Sequence, residues 1–347
     1  MKTIKDLDLK DKTILVRVDY NVPLKDQKVE SDLRIRASLP TINHLLKNGA
    51  KKIILISHLG RPEGQENPEF SLAPAAEALK TLLPSQTIGF YPLPKKGEKI
   101  EIPDTTKIVL LENLRFDPGE EANDQDFIKN IVDSVNADIF VQDGFAVIHR
   151  AHASTDAIKN FLPVYAGLLL EKEVTNLNKA MENPEHPVVL IIGGSKVEDK
   201  QPLIDKFVNI ADHILVGGKI AADGYKSTNE KIIVATDFDE DSEGHKLDIG
   251  PVSTADFTKV LENAKTIIWN GALGKVEDPA FATASSIIAD VIGKKSDATT
   301  IICGGDTTGF VEEYLKNHKD LNYTLISTGG GAALEFLLGK NLPGLIS

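Results

Sequence analysis

The chain has one cysteine, Cys303, in 347 residues. An internal disulfide is therefore excluded, and a reducing, cytoplasmic compartment is the expectation. No apolar run approaches the roughly 18 residues of a membrane span, so no membrane partner is expected. The opening MKTIKDLDLK lacks the apolar centre of a secretion signal. Basic residues are the minority, 39 Lys and Arg against 51 Asp and Glu, giving a net charge of -12. Such a chain repels nucleic acid as a whole, so no nucleic-acid partner is expected and any basic cluster must be local and specific. Two phosphate-binding signatures are missing as well. GxxxxGK[ST] and GxGxxG have no match anywhere, which excludes a P-loop enzyme and a standard dinucleotide binder.

What remains reads as an ordinary globular composition, 41% hydrophobic and 26% charged. The length exceeds one ordinary core, so two domains are expected. Short β-branched runs predict strands at 13–19, 52–57, 86–91, 107–112 and 138–142, then at 187–192, 213–217, 231–236, 266–270, 299–303 and 323–327. Several are apolar throughout, as in PVVLIIGG at 187–194, which marks strands buried on both faces of a parallel sheet. Helical patterns alternate with them, so the predicted class is α/β, with two Rossmann-like, doubly wound parallel-sheet domains. Leucines and charges at helical spacing across 164–182, between Pro163 and Asn183-Pro184, predict a long helix joining the domains. The boundaries are then 1–163, 164–183 and 184–334. The acidic stretch 237–246 reads as a solvated loop.

Strand ends carry ligands in open α/β sheets, and here the two halves end their strands differently. In the first half the ends are cationic. VRVDYNVPL places Arg17, Asp19 and Asn21 on one face of an extended segment. Arg34 and Arg36 follow, then His58 and Arg61 around a glycine turn, Arg115, and finally His149, Arg150 and His152. Like charges gathered at converging strand ends are unfavourable without an anion between them. Arginine matches carboxylate and phosphate with two parallel hydrogen bonds. The expected ligand is small and carries at least two anionic groups. A His149–His152 metal pair is the weaker reading, because Arg150 opposes a cation and no carboxylate sits at HExxH spacing.

In the second half the ends are glycine: Gly193-Gly194, Gly217-Gly218, Gly271, Gly304-Gly305 and Gly329-Gly330-Gly331. Glycine lets backbone amides approach phosphate, and a following helix N-terminus favours negative charge. In GGSKVEDK, Lys196 and Lys200 are four apart, on one helical face by the expected pattern, and suited to a moving phosphoryl group. Solvated lysines are the plain alternative. Asp306 and Thr307 open a helix after Gly304-Gly305, where Asp306 is either a simple N-cap or a Mg²⁺ ligand on nucleotide phosphates. Asn270 ends the fourth strand of this half, and Glu277, farther along, is a candidate ribose acceptor.

These motifs, in this order, closely resemble the phosphoglycerate kinase family, from about residue 13 to the C-terminus. RVDYNVP, SHLGRP, LLENLRF, HRAH, GGSKVEDK, GGDT and STGGGAALEFLLGKNLPG all fall where that family has them. The resemblance implies two lobes and a hinge, with a tail at about 335–347 returning to the first lobe. It implies reversible phosphoryl transfer between 1,3-bisphosphoglycerate and ADP, giving 3-phosphoglycerate and ATP, in a monomer. Asp19, Asn21, Arg34, His58, Arg61, Arg115 and Arg150 would hold the glycerate ligand. Lys196, Lys200 and Arg34 would be catalytic. Gly217, Gly218, Asn270, Glu277, Gly304, Gly305, Asp306 and Thr307 would surround the nucleotide together with Lys200, with Asp306 on Mg²⁺.

Departures from the family concentrate at the base end of the nucleotide site. Lys219 and Ile220 interrupt a glycine motif, only 221–230 separates two strands, and Lys246-Leu247-Asp248 replaces a Gly-Leu-Asp segment. Weaker discrimination among nucleoside diphosphates is expected. Smaller departures are Gln142, Gly144, Ala272, Lys275-Val276 and Cys303, the last read as a small core residue. Two further readings compete: a binding protein that kept the fold but lost turnover, and a nucleotide-dependent dehydrogenase. Retention of Arg34, Lys196, Lys200 and Asp306 argues against the first, and the missing dinucleotide fingerprint against the second.

Overall fold

The computed structural model describes residues 1–346. The chain forms two compact units, Met1–Lys172 with Asn341–Ser347, and Glu173–Lys340.

The first unit contains β1 (Thr13–Arg17), a small hairpin of β2 (Leu24–Lys25) and β3 (Lys28–Val29), α1 (Leu33–Lys47), β4 (Lys52–Ile56), α2 (Ala73–Leu82), β5 (Ile88–Tyr91), β6 (Ile108–Leu111), α3 (Pro118–Glu121), α4 (Gln125–Val135), β7 (Ile139–Gln142), β8 (Val164–Ala166) and the start of α5 (Leu168–Glu182). Six strands make one parallel sheet in the order β5-β6-β4-β1-β7-β8. Alternate residues serve opposite cores: Ile14, Val16, Ile53 and Leu55 on one face, Leu15, Ile54, Ile56 and Val109 on the other. That two-sided burial explains the unbroken apolar runs, at roughly 1.5–3 kcal/mol per buried side chain. The strand order reverses between β1 and β7, so their C-terminal loops flank the crevice where such sheets take ligands. Near the C-terminus, Gly344 N donates to Ile148 O at 2.7 Å, and Lys159 Nζ donates to Pro343 O.

The second unit continues with β9 (Val188–Ile192), α6 (Val197–Phe207), β10 (His213–Val216), α7 (Gly218–Ala222), β11 (Ile232–Val234), the hairpin β12 (Phe238–Glu240) and β13 (Lys246–Ile249), α8 (Pro251–Leu261), β14 (Thr266–Asn270), α9 (Thr283–Gly293), β15 (Thr299–Cys303), α10 (Gly305–Tyr314), β16 (Leu325–Ile326) and α11 (Gly330–Leu337). Its parallel sheet runs β11-β10-β9-β14-β15-β16. Numbered by appearance this is 3-2-1-4-5-6, the doubly wound order, with its switch point between β9 and β14. The α/β class expected from the alternating pattern is therefore observed in both units.

Some elements differ from their sequence expectation. The long helix starts at Leu168 rather than 164, because Val164–Ala166 pairs with β7 as the edge strand β8. The acidic stretch at 237–246 is partly ordered: β12 pairs antiparallel with β13, and Lys246 Nζ sits 4.6 Å from the Phe238 ring centroid. Most strands end a residue or more early, where the chain turns away toward its loop.

Candidate active site

In the first unit, the loops after β1, β4, β6 and β7 bring the cationic residues together. Arg17 ends β1 and is fully buried. Its Nε donates to Ser154 Oγ at 2.8 Å, Nη1 donates to Val18 O, and Nη2 lies 3.2 Å from His58 Nδ1. Glu120, also 0% exposed, accepts from Ser154 Oγ at 2.6 Å and from Ser154 N at 3.0 Å. Arg17 therefore does not stand open to a ligand, as its strand-end position suggested. It is locked into a polar network below the surface. A charge within a strand buried on both faces has to find such partners.

Around this network stand the groups that are more accessible. Asp19 Oδ2 accepts from Arg34 Nη1, and Asp19 Oδ1 accepts from Asn21 N at 3.1 Å. Asn21 is exposed, and its Oδ1 accepts from Gly60 N at 2.9 Å. Arg115 Nη1 donates to Gly60 O at 2.7 Å. Its Nε pairs with Glu121 Oε1 at 3.0 Å, yet neither Nε nor Nη2 makes a hydrogen bond among the described residues, although Arg115 is only 3% exposed. Arg150 Nε lies 3.3 Å from His149 Nε2. Arg61 is exposed beyond the Gly60 turn.

Electrostatics show how closely these cations bear on one another. His58 has its pKa pushed well below the ordinary histidine value, first by burial and then by Arg17, Arg115, Arg150 and Arg34. His152 is lowered to about 4 by partial burial and by Arg115, Arg150, Arg17 and His149. His152 Nδ1 lies 3.9 Å from Glu120 Oε1, but a ring held neutral makes no ion pair, and the distance is beyond a hydrogen bond. Arg61 is not among the leading causes of either shift. The structure thus gathers Arg34, His58, Arg115 and Arg150, with Asp19 and Asn21 beside them, and leaves Arg61 at the margin.

In the second unit, β9, β14 and β15 end side by side. Here the glycines divide by role. A Cβ on Gly193 would lie 2.1 Å from Ala272 O, and one on Gly271 would lie 2.2 Å from Gly193 O. Gly217 and Gly218 are likewise closed in, by the Leu273 side chain at 2.7 Å and Ala272 O at 2.7 Å. These four let turns pack against each other. Gly305, the open first residue of α10, is different: a Cβ there would meet no atom within 4 Å. Space beside the backbone in the Cβ direction is therefore open at Gly305 and closed at Gly217 and Gly218.

Lys196 is not on the helical face expected for it. It is the exposed, extended N-cap of α6, while Lys200 lies within the helix and is partly buried. Lys200 Nζ donates to Asn270 Oδ1, and Asn270 Nδ2 donates to Cys303 Sγ at 3.2 Å. Cys303, 0% exposed, thus orients the Asn270 amide, a role its sequence position did not reveal. Burial lowers the Lys200 pKa, while Cys303, Asp199 and Asp306 act in the other direction. Thr307 is buried and its Oγ1 accepts from Gly271 N at 2.9 Å, tying α10 to the β14 turn. Asp306 is exposed in the first turn of α10. Asp306 and Glu277 share the wall of a groove of about 620 Å³ that continues past Val276 to Phe310 and Tyr314. Lys219 is exposed and pairs with Asp223 at 3.0 Å.

Known proteins resemble this chain over nearly its whole length. The phosphoglycerate kinase family model matches residues 4–240 and 221–340. The phosphoglycerate kinase of Pseudothermotoga lettingae is 40% identical over 395 aligned positions, covering 99% of this chain and 98% of the relative. That of Moorella thermoacetica is 39% identical with the same coverage. Both alignments are longer than the chain itself, so these relatives carry residues it lacks. The solved phosphoglycerate kinase of Coxiella burnetii superposes with a TM-score of 0.81 at 33% identity, covering 99% of this chain and 97% of that one. That of Pyrococcus horikoshii gives 0.84 at 26% identity over the same shares. With a family model spanning nearly its whole length and relatives near 40% identity, this chain belongs to the phosphoglycerate kinase family.

Proposed function

We propose that this phosphotransferase divides its glycolytic reaction between its two units, the first holding the glycerate substrate and the second the nucleotide. The reaction is the transfer of the acyl phosphate of 1,3-bisphosphoglycerate to ADP, and its reverse, with a carboxyl group as acceptor. The observation that carries the assignment of the first unit is Arg115. Its buried guanidinium pairs with Glu121 through Nε but leaves Nη2 with no hydrogen-bond partner among the described residues, in a basin where other guanidinium groups press on His58, which supports a site that takes an anion.

In this reading Arg115, Arg150 and His58 take the anionic groups of the glycerate, with Arg61 closing from the margin. Asp19 and Asn21 accept from its hydroxyl, and Arg34 exchanges Asp19 for the phosphoryl oxygens. Gly304, Gly305 and the α10 N-terminus receive the nucleotide phosphates. Lys196 and Lys200 neutralise the transferring group, Asn270 positions Lys200, and Glu277 accepts from the ribose. Gly217, Gly218 and Thr307 act one layer back, by holding the turns together. The acyl phosphate is already activated and the acceptor oxygen of ADP already charged. No general base is needed, and in-line positioning with charge neutralisation carries the rate. Since the two ligands are held on separate units, transfer requires the units to close, which also excludes water.

A metal fits this chemistry only as a companion of the nucleotide. Among the described residues no three His, Cys, Asp or Glu side chains assemble into a metal cage. A lone accessible carboxylate such as Asp306 suits Mg²⁺, which takes one or two carboxylates and fills its shell from phosphate and water. Asp306 would hold it, and the ion would supply charge neutralisation at the phosphates. Among the described residues no helix is long and apolar enough to cross a membrane. A cytoplasmic location is supported by the single buried cysteine. A monomer is supported by the scarcity of exposed large apolar side chains, Met1, Val252 and Ile287 among the described residues.

A coupled assay for ATP formation from 1,3-bisphosphoglycerate, repeated with several nucleoside diphosphates, tests both parts. Turnover is expected, with kcat/KM for ADP and GDP within about tenfold, or about 1.4 kcal/mol. No turnover removes the catalytic reading. Strong preference for ADP removes the reading of Lys219 and the short 221–230 segment as a loosened base end.

A further inference from the structure

Four of the five N–H groups of Arg17 are directed at acceptors that lie in different parts of the sequence: Ser154, Val18, Ser57 and His58. A guanidinium only donates. Its contact with His58 Nδ1 at 3.2 Å therefore has one proton order: Arg17 donates, Nδ1 accepts with its lone pair, and the ring proton resides on Nε2. Ser154 has a fixed proton order as well. Its Oγ accepts from Arg17 Nε at 2.8 Å, so its own proton goes to Glu120 Oε1, 2.6 Å away. Glu120 Oε2 is occupied by Ser154 N at 3.0 Å. Both carboxylate oxygens accept, and the chain of donors runs in one direction from Arg17.

We propose that Arg17, Ser154 and Glu120 form a clamp that fixes the His58 ring with its proton on Nε2. The clamp makes His58 a hydrogen-bond donor toward the anionic ligand of the basin, a consequence that rests on the functional reading above. Among the described residues nothing hydrogen-bonds His58 Nε2. The surroundings favour a donor without charge. Arg17, Arg34, Arg115 and Arg150 all disfavour an imidazolium, and the buried Glu120 is engaged by Ser154 rather than by the ring. A neutral Nε2–H gives the ligand a hydrogen bond without adding another positive charge to a crowded site. Arg17, Ser154 and Glu120 are positioning residues in this scheme, since they act through His58.

Nitrogen-15 NMR of the full-length, ligand-free protein reads the tautomer directly. The expected spectrum has His58 Nδ1 unprotonated and Nε2 protonated, unchanged from pH 8 to pH 5.5. Ser154→Ala, which unlinks Glu120 from Arg17 without removing a charge, should move the Nδ1 resonance toward the average of two tautomers. An unmoved resonance takes Ser154 out of the clamp. A side-chain swap then reads function. His58→Gln places an amide N–H near the Nε2 position and should keep KM for 3-phosphoglycerate within about threefold. His58→Asn can satisfy Arg17 but reaches no farther, and should raise KM about tenfold, as His58→Ala does, the scale of one lost hydrogen bond. A proton on Nδ1, or a ring that titrates near the ordinary histidine value, overturns the clamp whatever the ligand. A clamp seen by NMR with KM unmoved in His58→Ala overturns instead the placement of the glycerate.

Discussion

Lys200 and Arg61 are both candidate cations, but their surroundings assign them different work. Lys200 is partly buried and steered by Asn270, which Cys303 in turn holds. A charge so held is suited to a group that develops charge in the transition state. Lys200→Ala should lower kcat by about 10²-fold or more, with little change in KM for 3-phosphoglycerate. Equal kcat in steady-state assays would take Lys200 out of the catalytic set. Arg61 is exposed and is not among the leading causes of the His58 shift. Arg61→Ala should instead raise KM for 3-phosphoglycerate about tenfold at nearly constant kcat, as loss of one charged contact implies. An unchanged KM would show that the ligand lies beyond its reach. The motifs made both residues visible, because a strand-end cation stands out locally. Their different burial was not visible, since it depends on neighbours far away in sequence, such as Asn270 for Lys200.

Glycine at a strand end has two meanings, and only the assembled elements separate them. Gly271 has φ +108° and faces Gly193 O at 2.2 Å from a Cβ position, so its turn exists only because neither residue has a side chain. Gly271→Ala should cost on the order of 3 kcal/mol or more, measured as a fall in the urea midpoint at unchanged slope. Gly305 opens α10 onto free space. Gly305→Ala should leave the urea midpoint the same or slightly higher, since alanine favours helix, while raising KM for the nucleotide. If the two substitutions show the reverse order, the division between packing and phosphate-facing glycines is wrong. The α6 start shows the same limit of local reading. GGSKVEDK placed Lys196 and Lys200 on one helical face, yet the helix begins at Val197 and Lys196 is its extended cap. Helix limits are set by which amides find partners in three dimensions, not by spacing alone.

Across the whole molecule, a buried carboxyl sets a pH response that no motif contains. Asp143 follows β7, accepts from Leu169 N at 3.0 Å in the first turn of α5, and fills the space where a Cβ on Gly167 would lie, 2.1 Å from its Oδ1. Burial pushes its pKa up to about 7. In the unfolded chain it ionises near the ordinary value of about 3.9, so the folded state holds the extra proton between those limits. Its contribution is full below the unfolded value and is lost as pH rises through about 7, at up to about 1.4 kcal/mol per pH unit. Asp143→Asn, which cannot ionise, should flatten that part of the stability profile in urea titrations at pH 5 and 8. Parallel loss in both proteins would mean that Asp143 is ionised when folded. At this scale the sequence by itself determined the α/β class, the two sheets and the family, because two-sided burial leaves apolar runs and phosphate chemistry leaves glycine and arginine at strand ends. Those are local signals. Only the tertiary structure decided that Arg17 serves His58 and Glu120 rather than a ligand, that Cys303 orients Asn270, and that a side chain has room at Gly305 but not at Gly217. Burial and proton order are properties of assembled neighbours, and Arg17 and Ser154 stand 137 residues apart in sequence.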